Sequence, residues 1–181
     1  MLYKLLTKEE IRQVEISINQ LLGYNAMTEI LEEKRLIKIE GRRNEIYLVQ
    51  QNDLPLFEHF SSNVQENILK LVFARIKLGF FIQEKFLVGI ESLSFLNPLT
   101  QRKIQLDTES TQKFIFGKDI DISTVSLEKQ IKDLEENSIV MISSENNIPL
   151  GYAKIISKEE NPWLQNLVDI GIFLRSEKSA F

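Results

Sequence analysis

The fold of the second half of the chain is decided by the stretch STQKFIFGKDI, residues Ser110–Ile120. Thr108 and Ser110 are candidate N-caps, because a hydroxyl can accept a hydrogen bond from a free N–H group in the first turn of a helix. Gly117 stands where a helix needs a left-handed residue after its last turn. The stretch therefore predicts a short helix that begins near Thr108 and ends before Gly117.

The segment IPLGYAK, Ile148–Lys154, predicts a strand that follows a turn at residues 145–147. Gly151 lies inside this strand. A glycine in a strand interior usually marks a bulge or the close approach of another backbone. We therefore expect one of these two features at Gly151.

A third segment, DIGIFLR at Asp169–Arg175, is predicted to belong to a closing strand over Val168–Leu174. Strand alternation would turn Ile170 inward and place Phe173 and Arg175 together on the outer face. An outward aromatic ring beside an arginine suits base stacking with a phosphate contact. In the competing interpretation, Phe173 packs against protein and Arg175 pairs with an acid. The sequence pattern does not distinguish between these two interpretations of Phe173 and Arg175.

The composition narrows the class of protein. The chain has 181 residues, a formal net charge of −4 and no cysteine, which excludes disulfides and thiolate chemistry. The sequence has no uninterrupted run of about 18 apolar residues, which is the length needed to span a membrane. The N-terminus becomes charged too early for a secretory signal, so we expect a cytoplasmic protein.

The N-terminal half predicts helices and an antiparallel hairpin. Thr7 and Glu10 have the spacing of a capping box, and the apolar residues that follow recur at helical spacing up to Gly23. Strands are predicted at Leu36–Glu40 and Glu45–Gln50. The other expected elements of this half are a helix within Val64–Lys77 and a strand at Phe86–Ile90.

The segment Leu96–Leu99 indicates a joint between two domains, residues 1–95 and 96–181. The segment Val125–Leu134 fits both a helix and a strand, and we predict a strand for its first half. The remaining predicted strands are Lys103–Leu106, Ser138–Ile142 and Leu150–Ile156.

The C-terminal segments, in this order and at this spacing, resemble a PUA domain, a small RNA-binding fold. The whole chain resembles the Nip-seven family of ribosome-biogenesis proteins, and its composition indicates an archaeal member. The fold class that this implies is α+β: an N-terminal antiparallel sheet with helices, followed by a C-terminal PUA pseudo-barrel. The positions that carry the resemblance are Leu6-Thr7, Glu9-Glu10, Leu93–Leu99, Gln112, Phe114, Phe116, Gly117, Ile148–Tyr152, Asp169–Gly171 and Arg175.

The resemblance implies a non-enzymatic accessory factor in large ribosomal subunit assembly and pre-rRNA processing. Such a factor binds uridine-rich pre-ribosomal RNA through its PUA domain and ribosome-assembly proteins through its N-terminal domain. We expect a monomer that needs no cofactor and no metal. The RNA-binding residues that we predict are Lys113, Lys118, Lys154, Lys158, Phe173, Arg175 and Lys178.

A net charge of −4 is unusual for an RNA-binding protein, so this function requires local clusters of positive charge. One such cluster lies between Lys34 and Arg43, where five basic residues accompany one acid. We predict a partner or rRNA surface there, formed by Arg35, Lys38, Arg42 and Arg43.

Two alternatives belong to other classes. The first is a protein–protein adaptor whose PUA fold does not bind RNA, which the net negative charge would suit. The second is a subunit of an RNA-modification enzyme. Against the second, His59 is the only histidine, and the sequence has no P-loop and no nucleophile–base arrangement.

Overall fold

The computed structural model describes residues 3–41, 43–54, 75–123, 125–156, 163–172 and 175. The chain divides into two compact units. The N-terminal unit comprises Met1–Asn19 and Asn25–Ser92, and the C-terminal unit comprises Gln20–Tyr24 and Leu93–Phe181. None of the helices in the described ranges is both long enough and apolar enough to cross a membrane.

In the N-terminal unit, the described strands form one antiparallel sheet in the order β1-β2-β3-β4-β5. The helices among its described residues precede β2 in the chain, and the expected antiparallel sheet with helices is confirmed. The elements are β1 Tyr3–Leu5, α1 Lys8–Leu22, α2 Ala26–Glu33, β2 Lys34–Ile39, β3 Asn44–Gln50, β4 Arg75–Ile82 and β5 Lys85–Val88.

The start of α1 has the predicted capping box. The Thr7 hydroxyl accepts a hydrogen bond from the Glu10 N–H at 3.2 Å, and the Glu10 carboxylate accepts one from the Thr7 N–H at 2.8 Å. Val14 and Ile18, on the apolar face of the helix, are fully buried. The core of this unit therefore includes the α1 side chains that sequence periodicity predicts.

The helix predicted within Val64–Lys77 falls mostly outside the described residues, and only the last three positions of that span can be compared. Residues 64–74 lie outside the described residues, but Arg75 and Lys77 belong to β4, where they are paired with Val49 and Tyr47. Their backbone groups thus bond to a neighbouring strand. The spacing of apolar residues along the chain does not show which segments pair as neighbouring strands.

The C-terminal unit contains a mixed sheet that curls into a half-barrel, as expected for the PUA pseudo-barrel. Its described strands have the order β6-β8-β9-β10-β7, in which β6 and β8 are parallel and the other pairs are antiparallel. The elements are α3 Leu93–Leu96, β6 Lys103–Leu106, α4 Thr108–Ile115, β7 Ile120–Asp121, α5 Val125–Ile131, β8 Ile139–Ser144, β9 Pro149–Ile156 and β10 Trp163–Asp169.

The predicted strand in the first half of Val125–Leu134 is wrong, because this segment is α5. Leu127 and Ile131, one helical turn apart, are both buried in the core of the unit. The side-chain amide of Gln130 bonds to both backbone groups of Gln105 on β6, at 2.7 and 3.1 Å. These contacts fix the helix against the sheet.

The closing strand also differs from the prediction of Val168–Leu174. The strand β10 ends at Asp169, and a turn follows in which the Arg175 N–H donates to the Gly171 carbonyl at 3.0 Å. At Gly171, a Cβ would lie 1.9 Å from the Ile115 carbonyl oxygen. Only a glycine can pass the end of α4 so closely, so Gly171 permits the path that the chain takes after β10.

Candidate nucleic-acid interface

The first part of the candidate interface is the carboxyl end of α4. The helix begins with Asp107 as its N-cap, rather than Thr108 or Ser110, because the Asp107 carboxylate accepts the Ser110 N–H at 2.7 Å. That backbone hydrogen bond lowers the pKa of Asp107. The hydroxyl residues that we expected at the cap lie inside the first turn instead.

The helix ends in a Schellman motif that confirms the role predicted for Gly117. Gly117 has φ +78°, its N–H donates to the Phe114 carbonyl at 2.9 Å, and the Lys118 N–H donates to the Lys113 carbonyl at 3.1 Å. Within this cap, Phe114 is fully buried and Phe116 is 68% exposed. The cap therefore presents an aromatic ring to solvent on a backbone held by hydrogen bonds.

The second part is an ion pair that joins the end of β10 to the same cap. Asp169 is only 3% exposed and accepts two hydrogen bonds from the Arg175 guanidinium, at 2.9 and 2.8 Å. The guanidinium also donates to the Ile115 carbonyl. A Cβ at Gly117 would lie 3.1–3.3 Å from the guanidinium atoms, so the arginine packs on this glycine. The hydrogen bond with Asp169 raises the pKa of Arg175.

This geometry changes how Arg175 can act. Arg175 lies beyond the end of β10, so it is not part of an outer strand face. Phe173 lies outside the described residues. Its charge is offset by a buried carboxylate, as in the interpretation that paired it with an acid. Arg175 is therefore placed to lock the cap of α4 to the end of β10.

A bulge in β10 forms the third part. The strand register shifts between Asn166 and Val168, and the Asn166 side chain donates to the Phe114 carbonyl at 2.7 Å. Leu167, inside the bulge, is 41% exposed. The opposite strand has Gly151 here, where a Cβ would lie 2.0 Å from the Val168 carbonyl oxygen. The close backbone approach predicted at Gly151 is thus present.

The predicted lysines are in different situations. Lys113 forms an ion pair with Glu109 at 2.7 Å, and this hydrogen bond raises its pKa. Within the described ranges, Lys118 and Lys154 have no ion-pair partner. Lys158 and Lys178 lie outside the described residues. Lys118 is thus a cation of the α4 cap that is available to a ligand.

Three of the four basic residues predicted to form a surface in the N-terminal unit, Arg35, Lys38 and Arg43, lie in the described part of the chain. Arg35 donates to the Leu31 and Lys34 carbonyls at 2.6 and 2.9 Å, and Lys38 pairs with Glu10 at 2.6 Å. Because they are three positions apart in β2, these two side chains leave opposite faces of the sheet. The guanidinium of Arg43 lies 5.0 Å from the ring centre of Phe80. The fourth predicted residue, Arg42, lies outside the described residues.

Phe116 is an exposed residue of the cap that was not among the predicted RNA-binding residues. The spacing of Phe114 and Phe116 in the sequence already indicates that one of the two rings is exposed. Two residues along a helix correspond to about 200° of rotation, so Phe114 and Phe116 cannot both face the core. With Phe114 buried, Phe116 has to face outward.

Comparisons with known proteins agree with this architecture. A solved structure of a hypothetical protein from the hyperthermophilic archaeon Pyrococcus horikoshii is similar to this chain, with a TM-score of 0.50 and 11% sequence identity over 87% of this chain and 83% of that one. At this identity the similarity concerns the fold alone. A search among curated proteins found no match. Residues 102–178 match the family model described as the UPF0113 PUA domain, so this part of the chain is a PUA domain, a fold that generally binds RNA.

Proposed function

We propose that this protein is a non-enzymatic factor that binds single-stranded, uridine-rich RNA through its PUA domain. The PUA domain at residues 102–178 is the observation that carries the proposal. The α4 cap adds a mechanism, because exposed Phe116 can stack on an unpaired base while Lys118 contacts a neighbouring phosphate. The Schellman motif and the Asp169–Arg175 pair hold both residues in place.

The finer function that we propose is assistance in large ribosomal subunit assembly and pre-rRNA processing. In this proposal an archaeal, cytoplasmic monomer binds pre-ribosomal RNA with its C-terminal unit and ribosome-assembly proteins with its N-terminal unit. The resemblance of the whole chain to the Nip-seven family supports it. Crosslinking in cells followed by sequencing of the attached RNA tests it, and recovery of RNA unrelated to ribosomal precursors would contradict it.

The binding proposal is tested by fluorescence anisotropy of a uridine-rich octamer at low ionic strength. We expect Phe116→Ala to weaken binding about tenfold, because base–aromatic stacking contributes about 1–3 kcal/mol per base. Ile148→Ala is a matched control, since Ile148 is 55% exposed at the turn between β8 and β9. Equal effects of the two substitutions would contradict a stacking role for Phe116.

The second candidate function is a protein–protein adaptor. It is favoured by the net charge of −4 and by the exposed apolar side chains of Phe116, Leu167 and Ile172 in the C-terminal unit. Absence of RNA binding by the unmodified chain at low salt would support the adaptor and reject the RNA-binding proposal.

A further inference from the structure

A cleft of about 440 Å³ lies within the C-terminal unit, at one end of the half-barrel sheet. It opens where β6 and β8 begin and where β9 ends, so it is distinct from the α4 cap. Its volume falls in the range of roughly 300–1,000 Å³ that is typical of small-ligand pockets. The residues that line it are Gln20, Arg102, Glu135, Glu136, Asn137, Ser138, Ile139 and Lys154.

Two cations, Arg102 and Lys154, line the cleft. Neither Arg102 nor Lys154 forms an ion pair in the part of the chain that the structure describes. The stem of Arg102 packs on Gly23, where a Cβ would lie 2.8 Å from its Cγ, and its guanidinium donates to the Gln20 carbonyl at 3.4 Å. The arginine is thus positioned, and most of its N–H groups remain available for an anion.

A turn that also lines the cleft carries two carboxylates, those of Glu135 and Glu136. The Ser138 hydroxyl donates to the Glu135 carbonyl at 2.6 Å, and the Asn137 N–H donates to the Ile155 carbonyl at 2.9 Å. Asn137 has φ +64°, a conformation that asparagine tolerates better than most residues. Hydrogen bonds therefore hold the turn, although both glutamates are exposed and have no ion-pair partner among the described residues.

A cleft lined by charges of both signs favours a ligand that has both an anionic group and hydrogen-bond donors. A nucleotide has both, since its phosphate suits the cations and donors on its base suit a carboxylate. Guanine alone among the four RNA bases has two adjacent donors, N1–H and the 2-amino group, on its Watson–Crick edge. Uracil has one donor between two carbonyl oxygens, which a carboxylate would repel.

We propose that this cleft binds a single guanosine nucleotide of a bound RNA, with its phosphate beside Arg102 and Lys154 and its Watson–Crick edge on the carboxylates of the 135–136 turn. The proposal rests on the proposed RNA-binding function and adds base selectivity to it. Unpaired bases in single-stranded RNA are available for such readout.

The test uses the full chain and free mononucleotides in isothermal titration calorimetry at low ionic strength. We expect 5′-GMP to bind at least tenfold more tightly than 5′-UMP. The double substitution Glu135→Gln and Glu136→Gln should remove this preference, because an amide offers one donor and one acceptor in place of two acceptors. Glu145→Gln, at an exposed position of the turn between β8 and β9, is the matched control and should retain the preference.

A second measurement separates this proposal from general RNA binding. A uridine octamer is compared with the same octamer that carries one central guanosine. Tighter binding of the guanosine-containing octamer, lost in the double variant, supports the cleft. Equal, salt-dependent binding of both octamers would overturn the guanosine site and leave RNA binding intact, whereas binding of neither octamer would overturn both proposals.

Discussion

At the scale of single residues, Arg175 shows where sequence reasoning reaches its limit. The DIGIFLR pattern fits an alternating strand, and it gives no sign that Asp169 is buried or that Gly171 ends the pairing. The bidentate pair between Asp169 and Arg175 forms only because the chain turns against the end of α4. By contrast, Gly117 could be predicted, because the need for a left-handed residue after a helix is local.

Arg175→Ala should lower the stability of the C-terminal unit more than it lowers RNA affinity. The substitution leaves the buried Asp169 carboxylate without its main partner, which typically costs about 1–3 kcal/mol. Arg175→Lys should rescue this only in part, because an ammonium group cannot form the bidentate pair. Urea unfolding measures the change, with Lys118→Ala as the control. Equal stability of the alanine variant and the unmodified chain would refute the locking role.

Gly117→Ala should also destabilise the C-terminal unit, by about 1 kcal/mol or more. The left-handed φ of +78° disfavours alanine, and the new methyl group would press on the Arg175 guanidinium at 3.1 Å. A lowered midpoint of thermal unfolding is the expected result. Gly41→Ala is a suitable control, because a Cβ there would meet only the Arg43 carbonyl oxygen at 3.7 Å. An equal shift in both variants would mean that the cap conformation carries no special cost.

At the scale of elements, the elements predicted correctly are those with strong local signals. The capping box predicts the start of α1. The strand β8 is predicted by its apolar run, and the strand β9 by the turn that precedes it. The segment that became α5 was ambiguous, since Leu127 and Ile131 satisfy helical spacing while the first residues also alternate. The deciding contacts, between Gln130 and the backbone of Gln105, connect residues that are far apart in the sequence.

The link between α1 and β2 should make stability depend on pH. Burial raises the pKa of Glu10, but its hydrogen bonds with Lys38 and Thr7 outweigh burial, so the pKa is lowered overall. Because the pKa of Glu10 is lower in the folded state, its carboxylate stabilises the fold fully above the unfolded pKa of about 4.3. This stabilisation is lost as the pH falls through the folded-state pKa of Glu10. Chemical denaturation between pH 7 and pH 3 should therefore show a decline at the acidic end.

Lys38→Met isolates this contribution. We expect a loss of about 1 kcal/mol at pH 7 and a shallower decline below pH 5, because the partner that lowers the pKa of Glu10 is gone. Lys4→Met removes an exposed ion pair with Glu40 in the same sheet and serves as the control. Identical pH profiles for the Lys38 variant and the unmodified chain would show that this pair does not link pH to folding.

At the scale of the whole molecule, the net charge does not show how many positive side chains are available to bind RNA. The chain is acidic overall, yet Lys118 and Lys154 have no ion-pair partner among the described residues, whereas Lys38, Lys77 and Lys113 are paired with glutamates. The composition could not distinguish these two groups, because pairing depends on the fold. The C-terminal PUA domain could be predicted from its segments, while the pairing of Lys38 with Glu10 in the N-terminal unit could not.

The salt dependence of RNA binding should reflect this small number of available cations. Each neutralised phosphate contributes about 0.7 to the log–log slope for single strands, so contacts from Lys118 and Lys154 predict a slope of about −1.4. Lys118→Gln should reduce it by about 0.7. Lys154→Gln should reduce it by less, because Arg102 remains beside the same phosphate. Lys129→Gln, at an exposed position on α5, should leave it unchanged. A steep slope that neither substitution alters would place the contacts elsewhere.

The bonds between Gln130 and Gln105 also have a consequence for self-association. The strand β6 lies at the margin of its sheet, where free peptide groups could recruit the same strand from another molecule. The side-chain amide of Gln130 has the same donor and acceptor groups as a peptide unit. It forms hydrogen bonds with both the N–H and the carbonyl of Gln105, so these groups cannot pair with another strand. We infer that this helix protects the protein from polymerising into fibrils, and that Gln130→Leu would expose a template for them.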